Sequence, residues 1–129
     1  MENQKNSKRY DWLILSEPIS DHTNKHSEVD VISSFVQNEF SLNNSLIICI
    51  RCHPSEDKRK FESIQKFFGA QVIVSSRQSL ELDLSNAQKV VGFETYALNV
   101  ANALGCEIYS FYSRKRFFFP EPIKMLNYV

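Results

Sequence analysis

Glycine is scarce in this chain, three residues in 129, and none of the three falls in a Gly-x-Gly-x-x-Gly or Walker-type run. That removes support for the two loops that most often cradle a dinucleotide or a nucleoside triphosphate. Cysteine is scarce too. Cys49, Cys52 and Cys106 are an odd number, and the first two sit inside an apolar run instead of a ligand-bearing knuckle. This argues against zinc and against a disulfide frame, and it predicts buried reduced thiols. An excess of charge of one sign is also missing: Lys and Arg number 15, as do Asp and Glu. The sum gives no footprint for nucleic acid. No apolar run approaches the ~20 residues that cross a bilayer. The amino end lacks the charged head and apolar core of a signal peptide. A cytoplasmic protein without a transmembrane segment is expected, with peripheral membrane association left open. Also absent are a Ser-His-Asp order with a nucleophile elbow and a phosphoacceptor aspartate at a central strand end.

What is present centres on Asn86 to Gly105. Lys89 to Phe93 form a short apolar run containing Gly92, Thr95 can cap, and Tyr96 to Leu104 place apolar residues at helical spacing before Gly105. This reads as strand, sharp turn and helix, with the helix's free N–H groups set to receive an anion. Upstream, residues 1 to 9 are polar and without period, a disordered tail outside the fold. Trp12 to Leu15 predict a buried strand broken by Ser16-Glu17-Pro18, and the long loop from Ile19 to Ser27 carries Asp21, His22 and His26. Val29, Ile32, Phe35, Val36 and Phe40 mark one helix face. Ser45 to Cys52 is the most continuous apolar strand and ends at His53-Pro54, since proline cannot continue a central strand. Ser55-Glu56-Asp57 then opens a helix with Phe61, Ile64, Phe67 and Phe68 as its apolar face and Gly69 as its stop.

Gln71 to Val74 predict a third strand and Ser79 to Ser85 a short helix, chosen over the strand reading because a parallel crossover needs an element there. Glu107 to Phe111 predict a fifth strand, and Glu121 to Tyr128 a closing helix introduced by Pro120. With 43% hydrophobic and 12% aromatic residues, the chain suits one compact domain. Strands alternating with helical patterns imply an α/β fold: a Rossmann-like, doubly wound parallel sheet of about five strands in a three-layer αβα arrangement, over residues 10 to 129.

In such a sheet ligands lie beyond the carboxyl ends of the strands. Five stretches meet there: Ser16 to Ser27, Arg51 to Glu56, Ser75 to Arg77, Phe93 to Thr95 and Tyr112 to Arg116. In Arg51-Cys52-His53-Pro54 a rigid proline holds a basic residue and a histidine at a strand end, where the histidine could donate to a phosphate oxygen or merely end the strand. Thr95 is either a plain helix cap or a phosphate ligand alongside the amides of Thr95 and Tyr96. Glu94 beside it would repel a diphosphate unless it turns toward ribose hydroxyls. His22 and His26 fit plain loop residues better than ligands, and Arg114 to Arg116 fit a solvated cluster.

A strand ending in Arg-x-His-Pro, a Ser-Glu helix, a Val-Val-Gly-Phe-x-Thr turn and a helix closing in Ala-Leu-Gly together resemble the carboxy-terminal, donor-nucleotide half of GT-B glycosyltransferases. The nearest pattern is that of bacterial sialyltransferase and capsule polysaccharide transferase groups, and it spans Trp12 to Phe111. The resemblance implies a nucleotide-sugar donor as substrate, CMP-linked in the leading reading. It further implies an inverting transfer in surface polysaccharide or lipooligosaccharide synthesis, with no metal or other cofactor. It implies that His53 is the catalytic contact to the donor phosphate, that Pro54 shapes its loop, that Thr95 binds the same phosphate, and that Asn99 reaches the ribose. Ser16, with Glu17 and Ser20, matches the loop facing the donor cleft, and Arg51 joins the phosphate-binding set. Glu94 departs from the Ser/Thr pair expected there.

Such enzymes use two Rossmann-like domains, so an acceptor-binding domain or subunit is the expected partner. No nucleic-acid partner is expected. The alternatives are a non-catalytic Rossmann-like interaction module with Phe117 to Phe119 as its apolar patch, an inactive relic, and a stand-alone enzyme pairing His53 with Asp21 or Glu17.

Overall fold

The computed structural model describes residues 8–16, 28–53, 57–75, 78–93, 96–111 and 124–125. Its centre is a parallel sheet of β1 (Tyr10–Leu15), β2 (Ile48–Arg51), β3 (Val72–Ser75), β4 (Ala87–Gly92), β5 (Glu107–Ser110) and β6 (Lys124–Met125). The spatial order is β3-β2-β1-β4-β5-β6, with every neighbouring pair parallel. Among the described residues four α-helices connect β1 through β5: α1 (Glu28–Leu42), α2 (Glu62–Phe68), α3 (Leu80–Ser85) and α4 (Tyr96–Ala103).

Side chains alternate across a strand, so each strand feeds two apolar layers. On one face Trp12, Ile14, Ile48, Ile50 and Val91 pack with Ile32, Phe35 and Val36 of α1 and Ile64 of α2. On the other Leu13, Leu15, Cys49, Val90 and Ile108 pack with Leu84 of α3 and Leu98 and Ala101 of α4. The fold is thus the expected Rossmann-like, three-layer α/β arrangement. Both faces of the sheet are covered, which is why its inner strands read as nearly continuous apolar runs.

The sheet's direction of growth reverses beside β1. From β1 the chain steps to β2 and β3, then returns to β4 on the far side of β1 and continues outward through β5 and β6. At the carboxyl end of the central pair, Leu15 lies opposite Gly92. A Cβ at Gly92 would come to 3.1 Å from Leu15 Cβ and 3.2 Å from its carbonyl oxygen, so a methyl there would have to push the strands slightly apart.

Several local expectations shift. The segment after His53 enters α2 through a 3₁₀ turn at Lys58–Phe61, capped by Asp57, whose carboxylate accepts from Arg59 N. Phe67, expected on the inner face of α2, is 78% exposed. It lies off the flank of the stripe set by Ile64 and Phe68 and packs edge-on against Phe68 at 4.9 Å. Lys124–Met125, expected inside a closing helix, forms the sixth strand and pairs with Tyr109–Ser110. Lys8, expected in the tail, donates to the Ser85 carbonyl at 3.1 Å. Gly69 and Gly105 stop α2 and α4 with positive φ of 77° and 84°. Among the described residues no helix is long and apolar enough to cross a membrane.

Candidate functional site

The strand exits at the carboxyl rim are tied by hydrogen bonds that continue past the sheet. Ser16 N donates to the Arg51 carbonyl at 3.1 Å, Cys52 N to the Ser75 carbonyl at 2.9 Å, and Phe111 N to the Gly92 carbonyl at 3.0 Å. Ser16 Oγ in turn accepts from His53 N at 3.2 Å. Ser16 is buried and His53 half-buried. The first two sequence candidates therefore meet directly: the serine after β1 fixes the backbone from which the histidine after β2 projects. Asn99 is exposed on the first half of α4, while Leu98 and Ala101 of the same helix are sealed against the sheet. Phe93, which follows β4, is buried and packs tilted against Phe111 at 4.8 Å, joining the β4 and β5 exits on the α1 side.

Arg51 is placed at this rim but not unencumbered. Its Nη1 donates to the Gln78 carbonyl at 2.7 Å and to Asp83 Oδ2 at 2.9 Å. Asp83 also accepts from Ser75 Oγ at 2.8 Å and from Gln78 Nε2. Asp83 is fully buried, and sequence reasoning missed it: an acidic residue in a six-residue helix looks like a solvated one. Its partner lies 32 residues away, so no local spacing could reveal the pair. Equally unforeseen is Glu28, buried in the first turn of α1, where it receives Lys60 from the 3₁₀ turn before α2. The carboxylate complements the positive end of α1 and the lysine balances it.

Cys49 lies on the same face as Arg51, one turn of the pleat further in. Burial pushes its thiol up to about 12, with the charge of Asp83 adding to the shift. Burial likewise lifts Tyr10 to about 12, helped by Cys49 and Asp83. Neither group ionises near neutrality, so both serve as packed polar neighbours and not as nucleophile or base. All three cysteines are free thiols, and among the described residues no cluster of His, Cys, Asp and Glu could hold a metal. Pro54, Glu94 and Thr95 lie outside the described residues, as do Glu17, Ser20, Asp21, His22, His26, Arg114 to Arg116 and Phe117 to Phe119.

No protein-family description matches the chain, and no curated protein matches its sequence. Solved structures do match in shape. The S. aureus MnaA–UDP co-structure aligns with a TM-score of 0.58 at 11% identity, covering 86% of this chain and 30% of that one. A putative UDP-N-acetylglucosamine 2-epimerase from Listeria monocytogenes aligns at 0.56 and 7% identity, covering 83% and 29%. The Thermosulfurimonas dismutans KpsC, a beta Kdo 2,4 transferase, aligns at 0.51 and 14% identity, covering 80% and 34%. The fold is GT-B-like. At these identities the likeness concerns the fold alone. The chain spans about a third of the length of these structures or slightly less.

Proposed function

We propose that this domain binds a nucleotide-sugar at the carboxyl rim beside β1 and β4, as the donor-binding part of a sugar-transferring enzyme. The observation that carries the reading is the reversal of the sheet between β1 and β4. In open α/β sheets the ligand crevice lies where the strand order reverses; Ser16, which holds His53, follows β1, and α4 follows β4. Support comes from the structural neighbours: one is a complex with UDP, one is described as a UDP-sugar epimerase and one as a Kdo transferase.

In the proposed complex His53 donates to a phosphate oxygen, held in place through its backbone bond to Ser16 Oγ. Thr95 and the first amides of α4 receive the same phosphate, and Asn99 reaches a ribose hydroxyl. These donors stabilise the charge that builds on the leaving nucleotide as the sugar departs, and a base outside this domain activates the acceptor hydroxyl. The narrower reading, a CMP-linked donor in a sialyltransferase-like inverting transfer, rests on the Arg-x-His-Pro resemblance.

Calorimetric titration with UDP, CMP and AMP tests this. A pyrimidine nucleotide is expected to bind in preference to AMP, and His53→Ala to weaken it about tenfold, the loss of one charge-assisted hydrogen bond. Preference for CMP over UDP would support the narrower reading. Absence of binding to all three sinks the proposal and favours a non-catalytic interaction module, for which the exposed Phe67 (78%) and Leu42 (74%) are the observation in hand.

A further inference from the structure

Asp83 has no role in the nucleotide reading as stated, yet it is the most completely buried charged side chain among the described residues. A carboxylate taken out of water is tolerated only when donors replace the water. Arg51 Nη1 at 2.9 Å, Ser75 Oγ at 2.8 Å and Gln78 Nε2 do so here. The consequence for Arg51 is specific. Both hydrogens of its Nη1 are used, one on Asp83 and one on the Gln78 carbonyl at 2.7 Å. A guanidinium carries further donors on Nε and Nη2, and among the described residues these make no hydrogen bond.

Nor are those donors sealed in. Among the described residues no buried side-chain nitrogen lacks a partner, so the unused edge of Arg51 reaches solvent, and its side chain is 16% exposed. Arg51 sits at the last position of β2, opposite Leu15 of β1 and two residues before His53. One end of the guanidinium is bolted to the fold, while the fork of Nε and Nη2, on the last residue of β2, makes no hydrogen bond among the described residues. That fork matches two oxygens of one phosphate.

We propose that Asp83 is a positioning residue for nucleotide binding: it fixes Arg51 so that the Nε and Nη2 edge receives a phosphate oxyanion of the donor. The proposal rests on the nucleotide-sugar reading and deepens it by naming what orders the phosphate-binding arginine. Freezing a long side chain in advance removes an ordering cost that binding would otherwise bear.

Titrating UDP and uridine separately into the wild type, Asp83→Asn and Arg51→Lys tests it. The wild type is expected to prefer UDP. Asp83→Asn is expected to weaken UDP about tenfold and leave uridine unchanged, narrowing the preference. Arg51→Lys retains a cation for Asp83 and so is expected to melt near the wild-type temperature, yet to lose the preference because an ammonium cannot present a fork. If Asp83→Asn lowers the melting temperature while the UDP-to-uridine ratio stays at the wild-type value, Asp83 is structural only and the proposal falls. It falls equally if Arg51→Lys binds UDP as the wild type does, and this arm decides alone should Asp83→Asn not fold. A wild type that binds neither compound defeats the nucleotide reading itself, an outcome distinct from an unchanged ratio.

Discussion

At Gly92 a side chain larger than hydrogen would press on β1. An added Cβ would stand 3.2 Å from a carbonyl oxygen of β1, and backbone in the middle of a parallel sheet cannot give way as a flexible side chain could. Gly92→Ala is therefore expected to cost about 1–3 kcal/mol, as overpacking does, read as a lowered urea midpoint. An unchanged midpoint would show that β1 and β4 can part locally. Cys49 and Tyr10 add a pH dependence whose direction follows from their raised values. The thiol ordinarily ionises near 9 and the phenol near 10, whereas in the folded chain each is pushed up to about 12. The unfolded chain thus releases protons first, so the contribution is complete below about pH 9 and disappears as pH climbs toward 12. The melting temperature is expected to decline across that window, and less steeply in Cys49→Ala. Equal slopes in the two proteins would contradict the assignment.

Among the elements, α3 is the least secure by its own propensity and carries the most consequential buried charge. Six residues are too few for a helix that stands alone. Ser79 starts it by accepting from Leu82 N at 3.1 Å, and Ser79→Ala is expected to lower stability by about 1 kcal/mol, measured by denaturant unfolding; no loss would mean that the tertiary contacts of Leu84 and Asp83 hold α3 without the cap. This helix was legible through its acidic residues and flanks and through topology, against a Leu80, Leu82, Leu84 alternation that imitates a strand. Elsewhere periodicity sufficed: Ile32, Phe35 and Val36 of α1 are fully buried as their spacing requires. Strand order was not legible, since it depends on pairings between distant segments, and β6 is too short at two residues to leave a pattern. At the rim, the convergence of Ser16 with His53 followed from strand ends alone. The engagement of Arg51 by Asp83 did not, because it is a meeting of side chains on different elements.

For the molecule as a whole, the sheet is shared by both apolar layers, and this has a measurable consequence. Leu98 on α4 is fully buried in the layer that contains Leu13 and Leu15 of β1. Trp12, 4% exposed, belongs to the opposite layer, where it packs edge-on against Phe35 at 4.9 Å and Tyr109 at 5.0 Å. The two layers have no side chain in common, yet consecutive residues of one strand serve them alternately. Neither can be lost without releasing the strand that supports the other. Leu98→Ala removes buried methyl groups and leaves a cavity, at an expected cost of about 2–5 kcal/mol. If the domain is one cooperative unit, the Trp12 fluorescence transition moves to lower urea together with the far-UV circular dichroism transition, and the two remain superimposed. A fluorescence midpoint that holds its wild-type position while helix signal is lost early would instead divide the domain into separately melting layers. In that case the α4 side of the proposed nucleotide rim could open while the α1 side stays folded, and binding of UDP would tighten the α4 layer alone.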